Sequence, residues 1–563
     1  TTSVFHAQRY AHGYLDDALC APPPPSPCLV ASMPALLARD ETCAASVGLL
    51  RRTQPAAGLM LYSPRTTTDV YLVNASTGEV SHSWRTPFGT GHAVYLSRAG
   101  DIVRMEDDST PGGYAANASI SIPGDASLIS VYDWHGDVLW RKVINDATHR
   151  IHHAFDMHDF DVRAGRGTMF ALTAYRLECT SARALGRLVC DEEDGMYVEG
   201  VLEIDTSGRV VWEWYMSNHV CADCAAELSR VDINSGFGHD KADWVHANSL
   251  VYDAAHDVLL MGGAYTSEVY VIDHAAPSET PLGGRGAPLV YRYGSARFGE
   301  QHDVRVVPCA DAICFSVFNN GRYRASGACA FDEGDGSQTS ACASEVLLVT
   351  LPERLLTQPA SSTPPSSIGV RTLFDASSVA SLLGDGSAEF LRICDRDGAC
   401  QVQSRFFSLI LASAQLIGSA FTAGSYLSVM VGTYGTYFEA YYVSATGAYT
   451  DIRLVYQNFG KIAGTQQPPE LLRQCTAPGF VGLSRTPNSG WTTSVFHAQR
   501  YAHGYLDDAL CAESYAPPPP PWPPAHPSPP PFTCDAPSPE VVLAGGAEFC
   551  MYCLQCSAYC PRC

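Results

Sequence analysis

One local pattern recurs through the middle of the chain and constrains its fold more than any other. An alternating strand runs into a turn built from Asn or Asp with Gly, and the strand that follows ends in Trp. The first copy reads Tyr71-Leu72-Val73-Asn74, then Gly78-Glu79-Val80, then Trp84. The second reads Val131-Tyr132-Asp133, Gly136-Asp137-Val138-Leu139 and Trp140, and the third Leu202-Glu203-Ile204-Asp205, Gly208-Arg209-Val210-Val211 and Trp212. Period-two alternation makes a half-buried strand, Asp and Gly suit a tight turn, and the Trp can pack between neighbouring sheets. Looser copies fall at 268–273 and around 437–447. Their irregular spacing predicts an all-β chain, a degenerate β-propeller with six blades and insertions, rather than a solenoid. Long helical periodicity is absent, and 377–383 allows one short helix. Residues 406–438 carry no charge. Their Ser, Gly and Gln415, and the alternation from Tyr426 to Val431, predict buried strands and no membrane span.

Charge narrows the partners. The 563 residues include 36 basic and 58 acidic side chains, a net charge of −22. Such a surface repels phosphate backbones, so nucleic acid is not expected as a partner. Neither a cofactor nor a metal is expected in the propeller region. The acidic runs Asp191-Glu192-Glu193-Asp194 and Asp332-Glu333-Gly334-Asp335 follow no EF-hand order and read as solvated loops. The sequence opens at Thr1 without Met or a signal peptide, as a processed chain or a part of a longer one would.

The chain has 21 cysteines, several of them close in sequence. Cys179 and Cys190, Cys309 and Cys314, Cys329 and Cys342, and Cys394 and Cys400 each bracket a short polar loop between apolar strands. That spacing suits disulfides across hairpins and points to an oxidising, extracellular setting. An odd count leaves at least one thiol unpaired or bonded to another chain. Cys221 and Cys224 lack a βαβ context and read as structural rather than redox-active. Asn74 and Asn117 each open a triplet of the N-glycosylation form.

Residues 1–21 recur unchanged at 492–512. Chance does not produce this. It marks a recent tandem duplication or one unit of a repeating polymer. Both copies lead into proline. Pro22, Pro23, Pro24 and Pro25 follow the first. Pro517, Pro518, Pro519, Pro520 and Pro521, then Pro529, Pro530 and Pro531, follow the second. Ser-Pro-rich runs adopt extended polyproline II. They resemble the hydroxyproline-rich glycoproteins of algal and plant walls, and the resemblance implies hydroxylation and O-linked sugars at these prolines. The tail, with Cys550, Cys553, Cys556 and Cys560, has the outline of an iron–sulfur run. In an oxidising setting it reads instead as a small disulfide knot, with a zinc knot as the alternative.

Four motifs stand in order along the propeller region. They are Met157-His158-Asp159-Phe160, Asp243-Trp244-Val245-His246-Ala247-Asn248, Phe298-Gly299-Glu300-Gln301-His302-Asp303 with Phe318-Asn319-Asn320-Gly321, and Gly432-Thr433-Tyr434-Gly435 with Phe438-Glu439. Together they resemble the bacterial-type, nucleotide-independent arylsulfotransferases over about 56–462. The resemblance implies transfer of a sulfuryl group from an aryl sulfate to a phenol. His302 would be the transiently sulfated nucleophile, and His246 and His158 would hold sulfate oxygens or move protons. His152 and His153 are the alternative equivalents of the last. A neutral imidazole is available near pH 7, and charge building on the sulfuryl oxygens needs aimed donors. One departure matters: Ala264 stands where the family has Arg. Loss of one such donor typically costs about 3 kcal/mol. Arg322 or Arg324 is a possible substitute.

These readings divide the chain into 1–55 (repeat, proline tract and lead-in), 56–462 (propeller), 463–512 (connector with the second repeat), 513–539 (proline-rich linker) and 540–563 (Cys-rich tail). Two functions follow. One is a structural subunit of an extracellular glycoprotein filament or wall assembly, joined to copies of itself through its repeated ends, prolines and cysteines and carrying covalent glycans. The other is a secreted arylsulfotransferase working on phenolic sulfates through His302.

Overall fold

The computed structural model describes residues 47–52, 56–64, 67–75, 80–108, 113–114, 120–146, 148–283, 286–294, 297–309, 311–322, 343–356, 368–379, 392–394, 400–402, 406–408, 410–431, 436–458, 495–502 and 505–506. All of them lie in the first of two compact units, Thr1–Cys511, the second being Ala512–Cys563. The proline tracts, the tail, Asn117, Arg324, and Cys329 with Cys342 fall outside the described residues.

Six antiparallel sheets make the blades of a β-propeller. Blade 1 is Val495–Ala502, Gly58–Pro64, Asp69–Asn74 and Val80–Arg85, from the hub outward. Blade 2 is Gly89–Leu96, Ile102–Asp107, Leu128–Tyr132 and Val138–Val143. Blade 3 is His149–Asp161, Arg166–Leu177, Met196–Asp205 and Val210–Tyr215, with the two-residue strand Asp125–Ala126 beside its inner edge. Blade 4 is Ala247–Asp253, Val258–Gly263, Glu268–Asp273 and Leu289–Tyr293. Blade 5 is Gln301–Val306, Ala312–Asn319, Glu345–Pro352 and Gly369–Phe374. Blade 6 is Ser413–Ile417, Tyr426–Val431, Thr436–Val443 and Ala448–Asn458, with Val47–Arg52 added outermost. The six inner strands touch one another in sequence around the ring.

Burial follows this order. Strands between two others and two neighbouring blades are apolar on both faces, as in Val258–Gly263 and Tyr426–Val431, every residue of which is buried. The outermost strand of blade 2, Val138–Val143, keeps no fully buried residue. The uncharged region 406–438 thus supplies hub and core strands of blade 6, as its alternation predicts. Among the described residues no helix is long and apolar enough to cross a membrane.

The hairpin unit behaves as its composition requires. The Asp133 carboxylate accepts from the backbone N–H of His135 and Asp137 at 2.9 and 2.8 Å, and Gly136 takes the left-handed turn position at φ 90°. The tryptophans reach across to the next blade. Trp84 Nε1 donates to the Asp133 carbonyl and Trp212 Nε1 to the Ala276 carbonyl, each at 3.0 Å. Trp140 meets Phe160 edge-on, with ring centroids 5.3 Å apart. Residues 376–379 form turns, and the rest of the 377–383 helix candidate lies outside the described residues.

Disulfides join Cys179 to Cys190 and Cys309 to Cys314, as the spacing predicts, and also Cys221 to Cys224. Cys394 and Cys400 are register partners across a two-stranded hairpin. The glycosylation candidate Asn74 is half-buried at a strand end.

Ring closure uses a segment that the sequence division assigned to the connector. Val495–Ala502, from the second copy of the repeat, is the inner strand of blade 1, with Leu59 paired to Tyr501 and Tyr62 to Ala498. Blades 6 and 5 clamp it. Ser413 Oγ accepts from Ala498 N, Gln415 exchanges two hydrogen bonds with the Arg500 backbone, and Arg305 donates to Gln499. Arg500 Nε lies 2.6 Å from Glu439 Oε1, and both side chains are fully buried. Removing one member of such a pair strands the other charge in a low dielectric, at about 3–5 kcal/mol. Glu439→Ala should therefore lower the urea midpoint by that equivalent with an unchanged m-value. A loss below about 1 kcal/mol would mean the pair contributes little to closure.

Candidate active site

The inner strands enter the hub through strained backbone. His92, His153 and His246 have φ of 87°, 53° and 51°, and Glu300, Leu411 and Ala412 have φ of 58°, 59° and 124°. Each left-handed non-Gly residue costs roughly 1–2 kcal/mol and persists only where its surroundings over-determine it. Register breaks accompany them, between Thr90 and Val94 in blade 2 and between Ile151 and Phe155 in blade 3. Bulges of this kind re-aim side chains.

The re-aimed side chains meet. His92 stacks on His153 at 5.3 Å between centroids, and His153 meets His246 edge-on at 4.8 Å. Phe496, from the closing strand, packs against His92, His153 and His302 at 4.8, 5.7 and 6.3 Å. His246 stacks on Tyr265 at 4.5 Å. All four histidines are buried. Gly124 makes room for one of them, since a Cβ there would lie 2.5 Å from His153 Nε2.

Each histidine has a distinct electrostatic setting. Asn320 donates both amide hydrogens, to the Ser408 and Leu411 carbonyls at 2.9 Å, so its Oδ1 is left to accept from His302 Nδ1 at 2.8 Å. That fixes the tautomer of His302 and leaves its lone pair on Nε2. In this structure Nε2 accepts a 3.2 Å hydrogen bond from Leu411 N–H. Burial lowers the His302 pKa to about 4, Asn320 opposing and His246 adding to the fall. Burial also holds His153 well below its ordinary value, with His246, His92, His152 and His302 adding to the effect. His246 differs. Burial pulls it down, but the charge and the 2.6 Å hydrogen bond of Asp243 more than offset this and raise it. His152 Nε2 donates to Glu199 at 2.9 Å, and its Nδ1 lies at hydrogen-bond distance, 3.0 Å, from His153 Nδ1. Glu199 also accepts from Ala247 N.

Cations stand close by. Burial pushes the Glu300 carboxyl up to about 7, while Arg322, His246 and Lys241 hold it down. Arg322 lies 3.4 Å from Glu300. Lys241 Nζ sits 4.9 Å from the Tyr265 ring centre and 4.0 Å from that of Phe237. Ala264 is buried and its N–H donates to the His246 carbonyl.

His302 and His246 therefore lie in one cluster, joined by His153 and Phe496. His158 does not join them. It lies five residues beyond His153 on the same strand, about 16 Å on, and its ring packs against Tyr252. The third histidine of the group is His153, with His92 as a fourth. Other motif residues are structural: Asn248 donates to the Gln301 carbonyl, and Gln301 donates to those of Gly263 and Glu268. A signal for the extra histidines was present. His92-Ala93, His153-Ala154, His246-Ala247 and, in the repeat, His497-Ala498 share a dipeptide at the hub end of four inner strands. The alanines are all buried, as crowding at the axis demands. Among the described residues one group has metal-ligand spacing, Cys221, Cys224 and Glu227, and its cysteines are bridged.

Residues 126–360 match the family model described as arylsulfotransferase (ASST). The six-bladed ring is thus arylsulfotransferase-like over that stretch, which carries His153, His246, His302 and Asn320. No curated protein matches the chain. Solved structures that match include a protein of unknown function from Bacteroides caccae, at 11% identity over 50% of this chain and 72% of that one, TM-score 0.26. A putative 6-phosphogluconolactonase from Bacteroides fragilis matches at 11% over 72% and 96%, TM-score 0.32. A hypothetical selenium-binding protein from Sulfolobus tokodaii matches at 9% over 72% and 76%, TM-score 0.33. Likeness this slight carries no conclusion about this chain.

The shifts make a pH prediction. His302 is lowered from 6.5 to about 4, so the unfolded chain binds its proton more readily than the folded one. The stability it contributes is present above pH 6.5 and lost as pH falls through 4, by at most about 3 kcal/mol. Glu300, raised from 4.5 to about 7, acts with the opposite sign, its contribution being lost as pH rises through 7. His302→Asn should flatten the acid limb of a denaturation series between pH 6.5 and 4, and Glu300→Gln should steepen it. An unchanged acid limb in His302→Asn would contradict the burial effect.

Proposed function

We propose that this propeller moves a sulfuryl group from an aryl sulfate to a phenol, with His302 as the intermediate carrier. The observation that carries the reading is the setting of His302. It is buried and neutral, its Nδ1–H is held by Asn320, and its lone pair is on Nε2. In the first half-reaction Nε2 attacks sulfur as the bond from sulfur to the aryl oxygen breaks. The phenolate leaves with a proton, for which His246, raised by Asp243, is the donor. In the second half-reaction an acceptor phenol attacks the sulfur, gives its proton to the now neutral His246 as the bond from sulfur to Nε2 breaks, and both histidines are restored. No redox change occurs. Leu411 N–H has to release Nε2 before the first attack.

The missing Arg leaves the negative charge of the sulfuryl group to other donors. Lys241 and Arg322, which both act on the Glu300 carboxyl, are the cations we assign to that charge. Phe237 and Tyr265 beside Lys241 offer an aromatic face for the aryl ring, Phe237 being 41% exposed. The assembly role rests on tracts outside the described residues, apart from 495–502, which serve inside the ring.

Transfer from a chromogenic aryl sulfate to a phenol tests the reading. His302→Asn should abolish it. Asn320→Ala should cut kcat by roughly a hundredfold with KM little changed, because the tautomer is no longer fixed. Lys241→Ala should mainly raise KM. Full activity in His302→Asn would refute the reading.

A further inference from the structure

The seat of the closing strand offers a choice of occupant that the ring itself does not decide. Every residue placed there from the second copy of the repeat, 495–502 with Tyr505 and Leu506, has an identical counterpart at 4–11, Tyr14 and Leu15. We propose that the inner position of blade 1 is a docking site for the repeated segment as such, and that residues 4–11 of the same chain occupy it in place of 495–502.

The contacts argue for it. What holds the seated strand comes from elsewhere in the ring. Gly58–Pro64 supplies the backbone ladder, Glu439 the partner of Arg500, and Ser413, Gln415 and Arg305 the polar clamps. Leu96 donates its N–H to Tyr501 Oη at 2.8 Å and accepts from Tyr505 Oη at 2.9 Å. None of these groups distinguishes Arg500 from Arg9, Tyr501 from Tyr10, or Tyr505 from Tyr14.

Tethering argues for the same chain as donor. The second copy is tied to the ring at Asn458, the end of a blade 6 strand, through the 36 residues before Val495. The first is tied at Val47 through the 31 residues after Leu15. Val47 and Asn458 are register partners, so both tethers leave the ring at one place. Loop-closure entropy for such similar lengths alters relative occupancy by less than about 1.5-fold. A donor on another molecule must compete with a local concentration on the order of millimolar.

Exchange would preserve the histidine cluster, because Phe5 replaces Phe496. It would change which proline tract follows directly from the ring, the one beginning at Pro22 instead of that beginning at Pro517.

The test uses the full chain with Arg9→Glu, Arg500→Glu and both together, read as melting midpoint. The proposal expects each single variant to stay near wild type, because the intact copy takes the seat. The double variant should fall by roughly 5 °C. Arg500→Glu as damaged as the double variant, with Arg9→Glu silent, would overturn the proposal. Cross-linking reads the occupant directly. Tyr62→Cys is paired with Ala7→Cys in the Arg500→Glu background, and Tyr62→Cys with Ala498→Cys alone is the control for the observed register. A peptide joining positions 62 and 7 within a monomer supports the proposal. The same link in a covalent dimer, or no link where the control forms its own, overturns it.

Discussion

Six strands have to meet around one axis, and the rest of this structure follows from that crowding. Small residues are needed where the strands converge, and the buried Ala93, Ala154, Ala247 and Ala498 meet the need. Beside each alanine the chain has a histidine. Left-handed backbone at His92, His153 and His246 turns the rings inward, where burial and their mutual repulsion lower His153 while Asp243 raises His246. Strain in the backbone, burial of imidazoles and convergence on one point are thus a single arrangement. A ring of blades tolerates it because closure over-determines the hub.

Closure depends on an unusual inner strand. Val495–Ala502 buries Gln499 and Arg500 beside Phe496, Ala498 and Tyr501, and satisfies the two polar residues with Arg305, Gln415 and Glu439 from other blades. The same strand delivers Phe496 to three of the histidines. Stability of the ring and shape of the site are therefore coupled through one segment. Its polar contacts specify a partner surface more narrowly than an apolar strand would.

This explains what the sequence could and could not disclose. The blades were legible because alternation, Asp-Gly turns and terminal Trp are local, and each reports its own environment. His246 and His302 were legible because intact motifs surround them. The closing strand was not, because its buried Arg and Gln look like surface residues until partners some sixty to two hundred positions away in sequence are in place. The boundary set at 462 therefore stopped one strand short of a complete ring. The sequence alone does not separate His158 from His153, because two histidine registers lie on one long strand and only the bulge at 152–154 turns one of them to the hub. His92 stands in no family motif, and the shared His-Ala dipeptide was its only mark.

Whether the hub is a reaction centre comes down to whether sulfur is ever bonded to His302. Incubation with an aryl sulfate labelled in its sulfuryl group, rapid quenching at alkaline pH and peptide mapping would decide it. The account predicts one labelled site, on the peptide that holds His302, whose label is lost when a phenol is added before the quench. Transfer to the phenol with no labelled peptide, or with the label on another residue, would contradict it.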